Sequence, residues 1–263
     1  METDKLKKFA HECGADLVGV ADLALVNGVE TEPANLLEGY TRALSMAVRL
    51  ADGVIDTILD QPTPIYQQHY LKVNALLDDI ALRVSQFIQQ EGGKALPIPA
   101  SQLLDKKKWT SYISHKAVAL AAGLGWQGKS LLVVNRSFGP RLRLVTVLTD
   151  LPLDPDSPVK NLCGKCSACA ESCPAQAIKN VNTQRHYKTR NEALHFNRCV
   201  KKVTKEFPQL PFIDSPICGV CIRACPWGAR RASAYHTSSL SRKKKGGIVS
   251  SRAVGPVSEG ETW

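Results

Sequence analysis

The stretch Cys163-Gly-Lys-Cys166-Ser-Ala-Cys169-Ala-Glu-Ser-Cys173-Pro174 decides how this chain is read. Two residues separate the first three cysteines from one another, and a fourth follows after three more, capped by proline. That spacing wraps thiolates around a [4Fe–4S] cube and passes the fourth cysteine to a second cube. Further on, Cys218-Gly-Val-Cys221-Ile-Arg-Ala-Cys225-Pro226 repeats the end of the pattern. Buried structural thiols have no reason to keep such spacing. A zinc reading would want two tetrahedral four-ligand sites, and the Cys-Pro endings favour iron–sulfur instead.

Eight of the nine cysteines fall after residue 158: Cys163, Cys166, Cys169, Cys173, Cys199, Cys218, Cys221 and Cys225. Two cubes require that number. The second motif lacks its first member, because Ser215 stands three residues before Cys218, and Cys199 is the cysteine left to replace it. Crossed ligation then assigns Cys163, Cys166, Cys169 and Cys225 to one cluster, and Cys173, Cys199, Cys218 and Cys221 to the other. Cys13 reads as a core thiol on the first helix.

Working outward, 263 residues and 44% apolar content suit a globular chain able to bury a proper core. No run approaches the ~20 apolar residues that span a bilayer. The start, Met1-Glu-Thr-Asp-Lys5, shows no apolar export segment or twin-arginine signal, so a cytoplasmic protein without a membrane partner is expected. Cysteine-rich motifs in a reducing compartment indicate metal rather than disulfides. From Lys160 onward there are 18 Lys/Arg against 6 Asp/Glu, about +12, which leaves about −2 for residues 1–159 of the total +10. The cationic, cysteine-bearing end would attract an acidic electron carrier or a nucleic acid, unless it only compensates anionic clusters.

Residues 4–13 carry helical apolar spacing, and 16–21 and 43–50 read as strands. A short helix is expected around Asn35 to Tyr40. Tyr66 to Gln90 forms a long helix whose inner face would hold Leu71, Val73, Leu76, Leu77, Ile80, Val84 and Ile88, and Gly92-Gly93 stops it. Residues 95–100 form a proline-marked edge strand. Ser101 to Tyr112 reads as an exposed loop, and Ser114 caps a helix over 115–122. Leu131–Val134 and Arg141–Leu148 read as adjacent strands joined by a hairpin-like loop. The fold class is thus α+β: an α/β domain over residues 1–158, a ferredoxin-like domain over 159–230, and a basic, largely irregular tail over 231–263.

A ferredoxin alone needs no such first domain, so that half should receive the electrons. Its best candidate is Ala122-Gly-Leu-Gly-Trp-Gln-Gly-Lys129, where glycines around Trp126 would let backbone approach a large planar ligand. The run continues through Ser130, then Phe138-Gly-Pro-Arg141-Leu-Arg143 and Val147-Leu-Thr149-Asp-Leu-Pro-Leu153. Together with both cysteine motifs, these residues closely resemble the epoxyqueuosine reductase and reductive dehalogenase superfamily, over roughly residues 5–230.

The resemblance implies a nitroreductase-like α/β domain that binds cobalamin base-off and reduces it through two [4Fe–4S] clusters. Carried over, Gly125, Trp126, Gly128, Lys129, Ser130, Arg141, Arg143 and Thr149 would frame the corrinoid, with Ser101 as a further polar contact. The proton donor would be Tyr112, His115 or Lys116, near the start of the helix after the loop. The strand end where epoxyqueuosine reductases carry an acidic proton donor reads Pro97-Ile-Pro-Ala-Ser101 here, without a carboxylate, and an ungapped match reaches Trp109 instead. The implied function is a cobalamin-dependent reductase in a short paralogue, acting on a small-molecule or tRNA-borne substrate. Its partner would be a low-potential donor such as ferredoxin or flavodoxin. The alternative is a non-enzymatic electron-transfer or corrinoid-activating protein.

Overall fold

The computed structural model describes residues 2–229; the tail expected over 231–263 lies outside them. Helices are α1 (Thr3–Glu12), α2 (Asp52–Asp56), α3 (Pro64–Gln90), α4 (His115–Ala121), α5 (Ala168–Glu171), α6 (Arg190–Ala193), α7 (Phe196–Lys201) and α8 (Val220–Ala224). Strands are β1 (Leu17–Asp22), β2 (Arg42–Arg49), β3 (Ala95–Ile98), β4 (Trp126–Gln127), β5 (Val133–Val134) and β6 (Leu142–Thr149). The architecture is mixed helix and sheet.

The main sheet is antiparallel with order β1-β2-β6-β3. Its two central strands are apolar on both faces because helices cover both. Val145 and Val147 of β6 pack with Leu77, Ile80, Val84 and Ile88 of α3. Leu142 and Leu148 point the other way, toward Ala117, Val118 and Ala121 of α4. Small residues on α4 let it approach closely: a β-carbon on Gly19 would lie 2.2 Å from the Ala122 carbonyl oxygen.

Helix α3 starts where Thr63 Oγ1 accepts the Tyr66 N–H at 3.4 Å and Pro64 supplies a preset φ. Its inner face is narrower than the apolar spacing suggested. Leu71 and Leu76 are 43% and 40% exposed, because the sheet reaches only the stripe through Val73, Leu77, Ile80, Val84 and Ile88.

Two further expectations are corrected. Residues 34–39 form successive turns, with Leu36 N–H donating to Pro33 O and Glu38 N–H to Asn35 O, so no helix forms there. β5 pairs with β4 as a separate two-stranded ribbon, while β6 lies between β2 and β3. The glycines near Trp126 serve that ribbon. A β-carbon on Gly125 would sit 2.4 Å from Val134 O, and one on Gly128 would sit 2.7 Å from Val134 Cγ2.

The cysteine-bearing half shares its core with the first half: Ile217, Val220 and Ile222 are buried with Ile55, Ile58 and Tyr66. Among the described residues, no helix is long and apolar enough to cross a membrane.

Ile80 is fully buried between α1 and the sheet. Replacing it with Ala should cost about 2–5 kcal/mol, read as a lower urea midpoint of the apo chain at unchanged slope. A cost under about 0.5 kcal/mol would contradict this packing.

Candidate iron–sulfur and cofactor site

The eight clustered thiols fall into two sets. Cys163, Cys166, Cys169 and Cys225 line one hollow, hereafter hollow A, whose remaining wall is Gly128, Lys129, Ser130, Val134, Pro226 and Trp227. In the other set, hereafter hollow B for the space its four thiols would share, Cys199 and Cys218 lie within electrostatic reach of Cys173, and Cys221 within reach of all three. Cys221 also feels Cys169, so the two sets adjoin. Among the described residues, no three His, Cys, Asp or Glu side chains converge as on a single ion. A cube differs from a single ion in taking each thiolate on its own iron corner.

Burial first, and then mutual repulsion, pushes Cys169, Cys218 and Cys225 up to about 11, and Cys221 well up. Such thiols ionise when metal supplies the compensating charge, so loading should release protons. N–H groups are already aimed at the sulfurs. Ala177 N–H donates to Cys173 Sγ at 3.3 Å, and the Trp126 indole N–H to Cys163 Sγ at 3.4 Å. Both hollows therefore fit cubes. Cys166 is the exposed thiol of hollow A.

Hollow B lies under α3. Gly219, with φ +84°, opens α8 against Ile58 and Tyr66. A β-carbon there would lie 2.6 Å from Ile58 Cδ1 and 2.9 Å from the Tyr66 ring. The buried Tyr66 ring faces Cys218 and Cys221, and burial raises its hydroxyl pKa.

Beyond Tyr66 lies a cluster of polar side chains, hereafter the cleft. β3 ends at Ile98, opposite Thr146, so residues 142–145 of β6 have no strand partner on that side. The Arg143 guanidinium lies over the Tyr70 ring at 4.4 Å and donates to Asn74 Oδ1 at 2.9 Å and Tyr70 Oη at 3.4 Å. Ser101 Oγ lies 2.7 Å from Tyr70 Oη.

Across the cleft stand His115 and Lys116, at the start of α4. His115 Nε2 lies 3.0 Å from Pro99 O, an acceptor only, so this nitrogen carries the hydrogen and Nδ1 accepts from Thr146 Oγ1 at 2.8 Å. Burial holds His115 down at about 4, neutral and engaged on both nitrogens.

Lys116 differs. Its ammonium has no hydrogen-bond or ion-pair partner among the described residues. Burial, then Arg190 and Arg143, push it down to about 8, against the pull of Cys199 and Cys221. Lys116 is half-buried, and its ammonium, within reach of two arginines, leaves room for an acceptor.

The structure thus sorts the expected site residues. Ser101, Arg143, His115 and Lys116 meet around one cleft. Lys129 and Ser130, with Gly128, line hollow A, and Trp126 adjoins it: Trp126 packs edge-on against the lining residue Trp227 at 5.0 Å, and Lys129 Nζ donates to Cys166 O at 2.8 Å. Gly125 and Gly128 approach β5. Arg141 is committed to Asp52 at 2.9 Å and Asp56 at 2.8 Å. Thr149 is fully buried in the sheet, where its Oγ1 accepts the Leu151 N–H. Tyr112 packs against the α4-side core. Gly125, Gly128, Arg141 and Thr149, expected to frame the corrinoid, and Tyr112, expected as a proton donor, are thus each engaged by packing or an ion pair.

Sequence reading missed Tyr66, Tyr70 and Asn74. Their spacing of four on an otherwise apolar helix face was the available signal. It also missed Asp78, whose Oδ1 accepts the Ala100 N–H at 2.8 Å and so places a carboxylate at the strand end that lacks one in sequence.

Comparison with known proteins defines the class first: residues 162–228 match the 4Fe-4S double cluster binding domain. Homologues of the wider chain are named epoxyqueuosine reductase, an oxidoreductase. That of Vibrio cholerae is 27% identical over 85% of this chain and 66% of its own length. Solved structures with a similar fold include a reductive dehalogenase described in terms of B12-dependent dehalogenation (20% identity, TM-score 0.67, 91% of this chain and 34% of that one). Another is an epoxyqueuosine reductase with an epoxyqueuosine-modified tRNA-Tyr stem loop (20% identity, TM-score 0.58, 86% and 65%). The chain spans no more than about two thirds of the length of the curated relatives it matches.

Cys199→Ser should lower iron from roughly eight to roughly four per reconstituted chain, since only hollow B loses a ligand. Cys13→Ser should leave the count unchanged. Equal iron in the Cys199 variant and the parent would refute this grouping.

Proposed function

We propose that this protein is a cobalamin-dependent iron–sulfur reductase, with Cys163, Cys166, Cys169 and Cys225 holding one cube and Cys173, Cys199, Cys218 and Cys221 the other. The observation that carries the reading is the Lys116 ammonium, which has no partner among the described residues and lies within electrostatic reach of Arg143, Arg190, Cys199 and Cys221. The homologues named epoxyqueuosine reductase and the fold neighbours support it.

The cubes supply one-electron transfer, and cobalamin, when bound, supplies reductive cobalt chemistry. Arg143, Ser101, Tyr70 and Lys116 would hold the corrinoid and substrate by donating to their oxygen atoms. Tyr66 and Ile58 keep water from hollow B. Exposed Cys166 marks the side on which a low-potential donor such as ferredoxin or flavodoxin would approach.

His115, neutral and engaged on both nitrogens, positions the start of α4 rather than giving up a proton. Lys116 holds the proton the reduction consumes, at an amine that ionises near neutral pH. A cleft rich in cations suits an anionic substrate, such as a tRNA-borne nucleoside or a small anionic molecule. The alternative, a non-enzymatic corrinoid activator, draws on Asp78 being tied to the Ala100 backbone.

After anaerobic reconstitution, cobalamin should co-elute with the chain in gel filtration and show a base-off spectrum. Iron loading without corrinoid retention would overturn the proposal. Turnover should require protonated Lys116 and so fall as pH rises through about 8. Lys116→Ala should remove that limb and reduce the rate by roughly 10²–10⁴. A rate unchanged in Lys116→Ala would assign the proton to another group.

A further inference from the structure

Trp126 has a role that a stacking or packing residue would not need. Its indole is 3% exposed, lies on β4 in the first half of the chain, and points its single N–H at Cys163 Sγ, 3.4 Å away. The other N–H groups directed at cysteine sulfurs come from backbone close to the cysteines themselves. They are Ala177 for Cys173, Val220 for Cys218, the residue's own N–H for Cys169, and Trp227 and Gly228 for Cys225. Among the described residues, Trp126 is the side-chain donor to a cysteine sulfur, and it reaches across 37 positions of sequence.

The surroundings fix its direction. Trp227 packs edge-on at 5.0 Å, with the planes at 78°. Trp126 pairs with Val134 across the two-stranded ribbon, and Gly125 and Gly128 on either side of β4 pack tightly against β5. Neighbouring Lys129 donates to Cys166 O at 2.8 Å, which ties the same loop to the next cysteine. The ribbon is thus a rigid arm that presents one hydrogen-bond donor to hollow A.

Reduction adds one negative charge to a cube, much of it on sulfur. A donor aimed at a ligand sulfur stabilises that charge, and potentials of such clusters are set by these hydrogen bonds and by exposure. We propose that Trp126 sets the reduction potential of the cluster in hollow A, holding it higher than the cysteine set alone would, so that the exposed cluster accepts electrons from its donor readily. The inference rests on the cluster reading given above. The part of this hydrogen bond that strengthens on reduction should change the reduction equilibrium by up to about tenfold, and tenfold is 59 mV for a one-electron couple.

The test is an EPR-monitored redox titration of the reconstituted full chain, with the parent beside two variants. Trp126→Phe removes the N–H and some volume. Benzothienylalanine, installed at position 126, keeps the tryptophan shape but replaces N–H by sulfur. Both should move the hollow A midpoint negative by up to about tenfold in the equilibrium and leave the hollow B midpoint in place. The Cys199→Ser chain, run alongside, assigns the two signals. Should Trp126→Phe fail to fold or load, the isostere decides. An unmoved hollow A midpoint in the isostere overturns the proposal, as does an equal shift of both clusters, which would mark a general loss of packing. Failure of the parent itself to bind iron would bring down the cluster reading together with this one.

Discussion

Cys225 and Cys173 each lie with the other motif's cysteines, and the rest of this structure depends on that exchange. Cys225 reaches hollow A from the end of α8, and Cys173 reaches hollow B from the end of α5. Neither set can close unless α5 and α8 lie side by side. That requirement brings Cys221 within reach of Cys169 and sets the two hollows next to each other, as an electron relay needs. It also draws α8 under α2 and α3, where Gly219 alone has the backbone angle and the space to fit against Ile58 and Tyr66. The cysteine-bearing half is therefore part of the main core rather than an appendage.

The cleft arises from a different constraint. β3 is only four residues long, because Pro97 confines it to an edge and the chain leaves the sheet after Ile98. The exposed flank of β6 is then lined from α3 by Tyr70 and Asn74 and from α4 by His115 and Lys116. Arg143 is satisfied by Asn74 and Tyr70, and His115 by Thr146 and Pro99. What remains is the Lys116 ammonium, which has no partner among the described residues and lies within electrostatic reach of Cys199 and Cys221. The geometry thus divides the work: one hollow opens toward solvent at Cys166, and the other abuts the cleft.

Much of this was legible in sequence where chemistry imposes spacing. The cysteine intervals and the gap at Ser215 divide the eight thiols into two sets, the division on which the cluster proposal rests. Capping by Ser114, and the edge placement of the strand read over residues 95–100, also followed from local rules. The packing of the Gly-Trp loop was not legible, because glycines that admit a planar ligand and glycines that admit a neighbouring strand look alike in sequence. Only the fold shows that Gly125 and Gly128 face β5 and that Trp126 faces Cys163. Arg141 and Thr149 misled for a related reason. A buried arginine paired with Asp52 and Asp56, far away in sequence, carries no local mark of that commitment.

The central claim is that the cleft beside Lys116 is served by the cluster of hollow B. Its most direct measurement is the electron-spin relaxation of cobalt in the cobalamin-loaded, partly reduced chain. In the parent, a reduced cluster in hollow B should relax the cobalt signal rapidly, and Cys199→Ser should return it to slow relaxation while corrinoid remains bound. Identical relaxation in the two chains, with corrinoid bound in both, would contradict the account.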